Sequence, residues 1–271
     1  MRTNPPIWSG RGVDERLRAA RFGPVRWFDR LDSTNRYLLD EAAGGAPDGT
    51  VAVADVQDAG RGRLDRRWEA AAGRALLVSV LLRPSGLPDD AWHLATVAAG
   101  LAMSDAVVAT AGVEPALKWP NDLVVDDRKL AGILAESVVT GPDSRALVVG
   151  VGCNLARGAF PDDLAGVATS VEHVTGRSVE VRDALVAFLD AFADYADHLG
   201  SGAGRERLRA LARDRSATLG QVVEVEHPGG SVSGRAVDIA TDGALMVEAG
   251  GERHAFHVGD VIHVRADRHS S

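Results

Sequence analysis

Two stretches of this chain, residues 76–82 and 146–152, are almost continuously apolar and rich in β-branched side chains. A strand with one face in water alternates polar and apolar residues, so an unbroken apolar run predicts a strand covered on both faces. Helical patterns that could supply this cover occupy residues 89–111, where Trp92 is expected in the core, and residues 183–199. We therefore expect central strands buried beneath packed helices.

The last part of the chain has a different pattern. From residue 218 onward, short strands are separated by turn signals at residues 228–230, 241–243, 250–251 and 259–260. This spacing predicts a five-stranded β-barrel of about 50 residues. The chain then divides into an N-terminal extension at residues 1–24, a central domain at 25–215 and the barrel at 216–268. The extension holds one candidate helix, residues 14–21, which is too little for a helix-turn-helix DNA-binding module.

Composition limits the partners. The formal net charge of −8 argues against generic binding to nucleic acid or to a membrane surface. No apolar run approaches the roughly 18 to 20 residues of a membrane span, and the first residues lack the apolar core of a signal peptide. Cys153 is the single cysteine, so no intramolecular disulfide is possible and a cysteine zinc site is not expected. We expect a soluble, cytoplasmic protein with no nucleic-acid and no membrane partner.

Positive charge is concentrated in one segment, residues 56–68. Within seven positions this segment carries four arginines, Arg61, Arg63, Arg66 and Arg67. They are interspersed with Gly60 and Gly62. Glycine lets the backbone come close to a ligand, and the guanidinium fork matches a carboxylate or a phosphate. The segment predicts an anion-binding loop, with a solvated basic loop that turns at each glycine as the alternative.

A β-hairpin is predicted around the turn signal Asp126-Asp127. A two-residue loop there would place Val124 opposite Lys129, and the period of two along a strand would put Asp122 on the same face. We expect an acid and a lysine at one site, and a weak surface ion pair is the alternative. Gly132 marks a point on the returning strand where a ligand or another backbone comes close.

Other polar positions have structural as well as functional explanations. Ser33 and Thr34 precede a helical pattern, so N-capping is the structural explanation for them. Asn154 follows the second apolar strand, where a turn is the structural alternative to a ligand contact. The nearby Gly150-Val151-Gly152 lacks the third glycine and the following helix of a dinucleotide fingerprint. The sequence contains no Walker phosphate loop and no His-Glu-x-x-His zinc motif.

Four blocks, in this order, resemble the signature blocks of the biotin protein ligase family. They are Asp-Ser-Thr-Asn at 32–35, Gln-Asp-Ala-Gly-Arg-Gly-Arg at 57–63, Lys-Trp-Pro-Asn-Asp at 118–122 and Lys-Leu-Ala-Gly-Ile-Leu at 129–134. The resemblance covers residues 25–210 and extends to the barrel only in its pattern of short strands. It implies an α+β protein, with a mixed-sheet catalytic domain related to class II aminoacyl-tRNA synthetases and lipoate ligases, followed by an SH3-like barrel.

The family reaction joins biotin and ATP to give biotinyl-5′-AMP and pyrophosphate, and then transfers biotin to one lysine of a biotin carboxyl carrier domain. The resemblance therefore implies ATP and biotin as substrates, Mg²⁺ as a cofactor and a biotin-dependent carboxylase as partner. Members that also repress genes carry an N-terminal winged helix-turn-helix, which the short extension does not match, so a monofunctional ligase is implied. The alternatives are a lipoate or octanoate ligase or transferase on the same fold, a biotin-responsive DNA-binding repressor, and a non-catalytic adaptor built on the barrel.

The resemblance also implies roles for individual residues. Catalytic roles fall to Lys129, Arg63 and Asp122. Biotin would be bound by Ser33, Thr34, Asn35, Gln57, Gly60, Arg61, Gly62, Arg63, Lys129 and Gly132. The nucleotide would be bound by Arg63, Arg66, Trp68, Asn121, Lys129 and Asn154. The ligands of Mg²⁺ stay open.

Overall fold

A seven-stranded mixed sheet forms the central domain. The structure, a computed structural model, describes residues 21–64, 66–141, 144–227, 229–257 and 259–263, so the candidate helix of the N-terminal extension lies outside the described residues except for its last position. The strands are β1 (Val25–Leu31), β2 (Val51–Gln57), β3 (Ala75–Leu82), β4 (Ala116–Lys118), β5 (Asp122–Val125), β6 (Arg128–Gly141) and β7 (Ser144–Asn154). Their order is β1-β2-β3-β7-β6-β5-β4, with β1 and β2 parallel and the other neighbours antiparallel.

The two apolar runs form β3 and β7, which pair side by side at the centre of the sheet. All eight residues of β3 are buried. Alternate side chains enter two different cores, because Val78 and Val149 belong to the larger core while Leu81 and Val148 belong to a smaller one. The prediction of strands covered on both faces is confirmed.

Helices cover both faces of this sheet. They are α1 (Thr34–Ala43), α2 (His93–Ala111), α3 (Val171–Thr175), α4 (Val181–Asp197) and α5 (Gly202–Asp214), with 3₁₀ turns at Asp89–Ala91, Asp162–Leu164 and His198–Gly200. Leu38 and Ala42 of α1 pack on one face, whereas α2 and α4 pack on the other. Ser33 caps α1 as predicted, because its hydroxyl accepts the N–H of Arg36 at 3.5 Å, and the helix ends before Gly44.

The segment Asp89–Ala111 corrects two expectations. It opens with a 3₁₀ turn and becomes α-helical only at His93, which leaves Trp92 half-buried against the core rather than inside it. By length and composition the segment is also apolar enough to cross a membrane, contrary to the expectation that no such run exists. Most of it is buried between the sheet and α4, so it is a core helix.

The second sheet forms the predicted barrel. Its strands are β8 (Val222–His227), β9 (Gly230–Ile239), β10 (Leu245–Ala249), β11 (Glu252–Phe256) and β12 (Asp260–His263). Their order is β11-β10-β9-β8-β12, with antiparallel neighbours throughout. Alternating apolar residues such as Val223, Val225, Leu245 and Val247 fill its core. The α+β class and the five-strand barrel are confirmed, and the domain boundary near residue 216 stays a prediction.

Trp119 links the two domains. It follows β4 of the central domain, yet its indole is 8% exposed and belongs to the core of the barrel. The indole N–H donates to the Gly243 carbonyl at 3.0 Å, and the backbone N–H donates to Thr218 Oγ1 at 3.0 Å. The position immediately after β4 is therefore fixed by the barrel and not by the central sheet.

Candidate active site

Ten of the predicted binding residues line one cleft, on the sheet face that carries α1. They are Ser33, Thr34, Asn35, Gln57, Arg61, Gly62, Trp68, Asn121, Lys129 and Gly132. These residues come from four separate segments of the chain, and Leu134 adds an apolar side chain beside the Trp68 ring. The cleft therefore has an apolar surface with a small number of placed polar groups, which is typical of a small-molecule site.

One part of the cleft is built from buried polar side chains. Ser33, Thr34 and Asn35 are each only 4% exposed. Gln57 Oε1 accepts the backbone N–H of Thr34 at 2.7 Å and lies 3.0 Å from the Thr34 hydroxyl, which leaves Gln57 Nε2 as a donor. Ser79 of β3 lies 2.7 Å from Thr34 Oγ1 and 2.6 Å from Asn35 Oδ1. We call this group the polar end of the cleft; it can offer both donors and acceptors to a neutral ligand.

Residues 60–64 and 66–68, which we call the arginine loop, close over the cleft as a short irregular hairpin. The Trp68 N–H donates to the Gly60 carbonyl at 3.0 Å, and a Cβ at Gly60 would collide with the Trp68 carbonyl. Carboxylates hold two of the guanidinium groups: Arg61 Nη1 lies 2.9 Å from Glu136 Oε1, and Arg66 pairs with Asp260 of β12. The loop is therefore tied both to the floor of the cleft and to the barrel.

Arg63 does not line the cleft itself but contacts Asn121, which does. Its Nη1 is 3.5 Å from Asn121 Oδ1, and Asn121 is itself fixed because its Nδ2 donates to the Ile133 carbonyl at 2.8 Å. Burial lowers the pKa of Arg63, while the carboxylates of Asp260 and Asp122 oppose that shift. A guanidinium remains charged at neutral pH under such a shift, so Arg63 supplies a partly desolvated positive charge.

Trp68 lies flat against two glycines of the sheet. A Cβ at Gly152 would come 2.5 Å from Trp68 Cε2, and one at Gly132 would come 3.0 Å from Cζ3. Lys129 Nζ sits 5.6 Å from the ring centroid, within range of a cation–π contact. Gly132 was expected to admit a ligand or another backbone, whereas the group that approaches it in this structure is the indole side chain. Gly152 gives the same clearance, so the glycine pair of β7 serves packing and does not form a dinucleotide loop.

The predicted acid and lysine meet at one point. Lys129 Nζ lies 2.7 Å from Asp122 Oδ1, with the two side chains 38% and 25% exposed. Val124 pairs with Lys129 as predicted, and a bulge after it shifts Asp122 into register with Gly132. The two turn aspartates have φ values of 50° and 61°, as a two-residue hairpin turn requires. The pair is partly buried and borders the cleft, which favours a role in the site over the surface alternative.

A second cavity of about 240 Å³ adjoins the cleft. The two spaces share Asn121, Ile133 and Leu134. Arg63 and Asp122 line this second cavity, together with Lys118, and the barrel contributes Gly243 and His257. Burial lowers the pKa of Lys118, and the carboxylates of Asp122 and Asp127 oppose that shift. The predicted catalytic residues therefore stand where the two spaces meet.

Asn154 lies away from the cleft lining. It is 2% exposed, its Nδ2 donates to the Thr169 carbonyl at 3.0 Å, and its Oδ1 has no hydrogen-bond partner in the part of the chain that the structure describes. Its contact with a nucleotide stays a prediction. Cys153 beside it is fully buried, and burial raises the pKa of its thiol to about 12, so this thiol is structural and unreactive.

Within the described ranges, no group of three or more His, Cys, Asp or Glu side chains could hold a metal ion. The carboxylates nearest the cleft are engaged by cations, Asp122 by Lys129 and Asp260 by Arg66. The structure therefore gives no preformed set of ligands for Mg²⁺, and its ligands stay open.

Sequence reasoning missed three residues of this site. Ser79 and Glu136 contact the polar end and the arginine loop, and Asp260 reaches the loop from the barrel. Ser79 had a visible signal, because it is the one polar residue in the apolar run of β3. Glu136 and Asp260 had none, because their partners are distant in sequence.

Comparison with known proteins agrees with this architecture. The family model described as Biotin/lipoate A/B protein ligase family matches residues 27–154, and the one described as Biotin protein ligase C terminal domain matches residues 218–264. A biotin–acetyl-CoA-carboxylase ligase of Mycobacterium tuberculosis is 38% identical over 97% of this chain and 98% of that protein. The chain belongs to the biotin protein ligase family. Family membership and the near full-length match to named ligases identify the chain as a ligase enzyme. The alternative of a non-catalytic adaptor is thereby excluded.

Other biotin protein ligases support the same membership. A biotin–acetyl-CoA-carboxylase ligase of Paracoccus denitrificans is 34% identical over 86% of this chain and 98% of that protein. The solved structure of a biotin protein ligase from Aquifex aeolicus in complex with biotin and ATP superposes with a TM-score of 0.77, at 26% identity, over 90% of this chain and all of that one. A bifunctional ligase/repressor of Bacillus subtilis is 30% identical, and the match spans 68% of its length. The two biotin–acetyl-CoA-carboxylase ligases are thus matched over more of their length than the ligase/repressor.

Proposed function

We propose that this enzyme activates biotin with ATP to give biotinyl-5′-AMP and pyrophosphate, and then transfers biotin to a specific lysine of a biotin carboxyl carrier domain. The names of the ligases from Mycobacterium and Paracoccus support the substrate and point to acetyl-CoA carboxylase as the partner. The observation that carries the proposal is the cleft itself, in which a buried polar end is joined to the Lys129–Asp122 pair.

The polar end suits the ureido group of biotin. A neutral bicyclic urea offers two N–H donors and one carbonyl acceptor, so it needs acceptors and donors that are already in place. Among the described residues Gln57 Nε2 has no acceptor and can donate to a ligand, and Ser33 and Thr34 line the same cleft with their hydroxyls. Leu134 and the Trp68 ring line the same cleft and provide apolar contact for the hydrocarbon part of the ligand. A lipoate or octanoate chain has no use for these buried polar groups, which favours biotin over that alternative.

The opposite side of the cleft suits the reacting anions. A carboxylate must approach the α-phosphorus of ATP, and both groups are negatively charged. Lys129 and Arg63 would reduce that repulsion and stabilise the charge that builds up in the transition state. Phosphoryl transfer depends mainly on such positioning and electrostatics, so the two cations are assigned the main catalytic role.

Asp122 is assigned to the second half-reaction. The attacking lysine of the carrier domain must be held close to the mixed anhydride and must lose a proton. Asp122 already holds an ammonium group, that of Lys129, at 2.7 Å, and it lines the adjoining cavity. It could therefore orient a second ammonium group and accept its proton. Mg²⁺ would accompany the ATP phosphates, because this ion is commonly bound through substrate phosphates and few protein carboxylates.

Biotin-dependent exchange of pyrophosphate into ATP tests the first half-reaction. We expect exchange with biotin and none with lipoate or octanoate. Exchange that depends on lipoate would replace the proposal with the alternative on the same fold. The second half-reaction is tested by transfer of labelled biotin to a carrier domain and to the same domain with its acceptor lysine replaced by arginine. Retention of specific duplex DNA at physiological salt would contradict the proposed monofunctional, cytoplasmic role.

A further inference from the structure

A continuous chain of polar contacts runs beneath the cleft, from the arginine loop to the polar end. Glu136 Oε1 lies 2.9 Å from Arg61 Nη1, and its Oε2 accepts from Asn35 Nδ2 at 2.9 Å. Asn35 Oδ1 lies 2.6 Å from Ser79 Oγ, which lies 2.7 Å from Thr34 Oγ1. Ser79 is fully buried, so its hydroxyl has to find its partners within this chain of contacts.

Each hydrogen atom in this chain of polar contacts can be assigned to one hydrogen bond. Asn35 Nδ2 faces two acceptors, Glu136 Oε2 and the Leu134 carbonyl at 3.1 Å, so the amide nitrogen must lie on that side. Asn35 Oδ1 must then accept, and the single hydrogen of the Ser79 hydroxyl goes to it. The 2.7 Å contact between Ser79 and Thr34 therefore uses the hydrogen of the Thr34 hydroxyl.

This assignment leaves Thr34 Oγ1 as an acceptor. Thr34 Oγ1 lies 3.0 Å from Gln57 Oε1, but no hydrogen lies between them, because the Thr34 hydroxyl hydrogen points to Ser79. Gln57 Oε1 is itself an acceptor, of the Thr34 backbone N–H at 2.7 Å. Two oxygen acceptors then face the same small space. A ligand N–H entering that space would satisfy them, whereas a ligand that presents only acceptors would be repelled.

We propose that Glu136, acting through Asn35 and Ser79, sets the direction of the Thr34 hydroxyl and thereby makes the polar end an acceptor of the ureido N–H groups of biotin. Glu136 and Ser79 are positioning residues, because they act through Asn35 and Thr34 and not on the ligand. The assignment rests on the proposed function, in that biotin is the ligand. It also gives Glu136 a second task, since the same carboxylate holds Arg61 of the arginine loop.

Two substitutions test the chain of contacts at different points. Ser79→Ala removes the hydroxyl that connects Asn35 to Thr34. Glu136→Gln replaces a pure acceptor by a group that can also donate, so the Leu134 carbonyl is the one obligate acceptor left to hold the Asn35 amide in its present orientation. We expect a fraction of the amide to turn over and the direction of the contacts to reverse in that fraction. Ser104→Ala is the matched control for the first variant, because Ser104 is also fully buried and bonds only the Pro115 carbonyl, at 2.8 Å, outside the cleft. Glu41→Gln, which affects the ion pair with Arg26, is the control for the second.

Calorimetric titration of biotin into the full chain, without ATP, measures the effect directly. We expect Kd to rise about tenfold in Ser79→Ala and in Glu136→Gln, equivalent to about 1.4 kcal/mol, and less than twofold in the controls. The double variant should be no weaker than the weaker single variant, because both substitutions interrupt one chain of contacts. A biotin analogue methylated on its ureido nitrogens should bind the wild type poorly, and the two variants should discriminate against it less.

The outcomes separate the two proposals. If the wild type fails to bind biotin at all, the proposed function is wrong. If the wild type binds biotin and both variants bind as the controls do, or if the effects of the two substitutions add, the assignment of Glu136 and Ser79 is wrong while the proposed function stands. Thermal unfolding of each variant shows that the folded chain is being titrated. If the buried Ser79 does not tolerate alanine, the methylated analogue decides the matter: Glu136→Gln must lose discrimination against it, because weakened contact with Arg61 alone would leave that discrimination unchanged.

Discussion

Replacing Trp119 by alanine should destabilise the barrel more than any single substitution on the barrel surface. The indole is 8% exposed and packs in the barrel core, so its removal should cost about 3 to 5 kcal/mol of unfolding free energy. The lost hydrogen bond to Gly243 adds about 1 kcal/mol. Since about 1 kcal/mol shifts the Tm of a chain of this size by roughly 2 to 4 °C, we expect a fall of about 8 to 24 °C.

Scanning calorimetry on two further variants isolates the cause. Trp119→Phe keeps an aromatic ring in the barrel core but leaves the Gly243 carbonyl without its donor, so it should cost about 1 to 2 kcal/mol. Trp92→Ala is the control for loss of an indole, because Trp92 is half-buried at the start of α2 and should cost less than Trp119→Ala. A Tm within about 2 °C of the wild type for Trp119→Ala would refute the reasoning that this side chain is part of the barrel core.

Three further outcomes follow from the site. Lys129→Met should lower biotin-dependent pyrophosphate exchange at least about tenfold while Tm stays nearly constant, because a partly exposed ion pair adds little stability; a large loss of Tm with normal exchange would contradict this. Gly152→Ala should displace Trp68 and reduce pyrophosphate exchange, because the added Cβ would collide with the indole. Gly166→Ala should leave exchange unchanged, because a Cβ there would have no neighbour within 4 Å. Equal exchange in the two variants would show that Trp68 does not need the space at Gly152. Burial lowers the pKa of His263 below its ordinary 6.5, so the unfolded chain binds the proton more readily and the free energy of unfolding should fall as pH drops below about 6.5. Urea unfolding of His263→Gln should show a smaller fall over the same pH range. An unchanged pH dependence in this variant would contradict the assignment to His263.

The elements of the fold were largely predictable because their signals are local. The apolar runs of β3 and β7, the N-cap Ser33 and the turn Asp126-Asp127 each depend on a few adjacent residues. The Lys129–Asp122 contact was predictable for the same reason, since a two-residue turn fixes the register of its hairpin. Residue type and spacing were sufficient in these places.

Long-range partners were not predictable, because nothing in a local pattern says what a side chain will meet. Trp119 lies beside the predicted site in sequence but packs in the barrel, and the Thr218 hydroxyl that accepts its backbone N–H is 99 positions away. Glu136 meets Asn35 across a separation of 101 positions. Burial and pairing of this kind depend on how the sheet and the barrel assemble, and His93, at which the helix starts, likewise lies against the barrel turn at Gly243.

The glycines of β7 have a consequence for any attempt to change what the enzyme accepts. Gly150 leaves room for the Asn35 amide and Gly152 leaves room for the Trp68 ring, so at these two places the floor of the cleft consists of main chain alone. Pockets are usually enlarged by shortening a side chain, and here the floor has none to shorten. Bulkier substrates must gain their space from Trp68 and the rest of the arginine loop, which makes the loop, and not the sheet, the part of the molecule through which a new acyl group could be admitted.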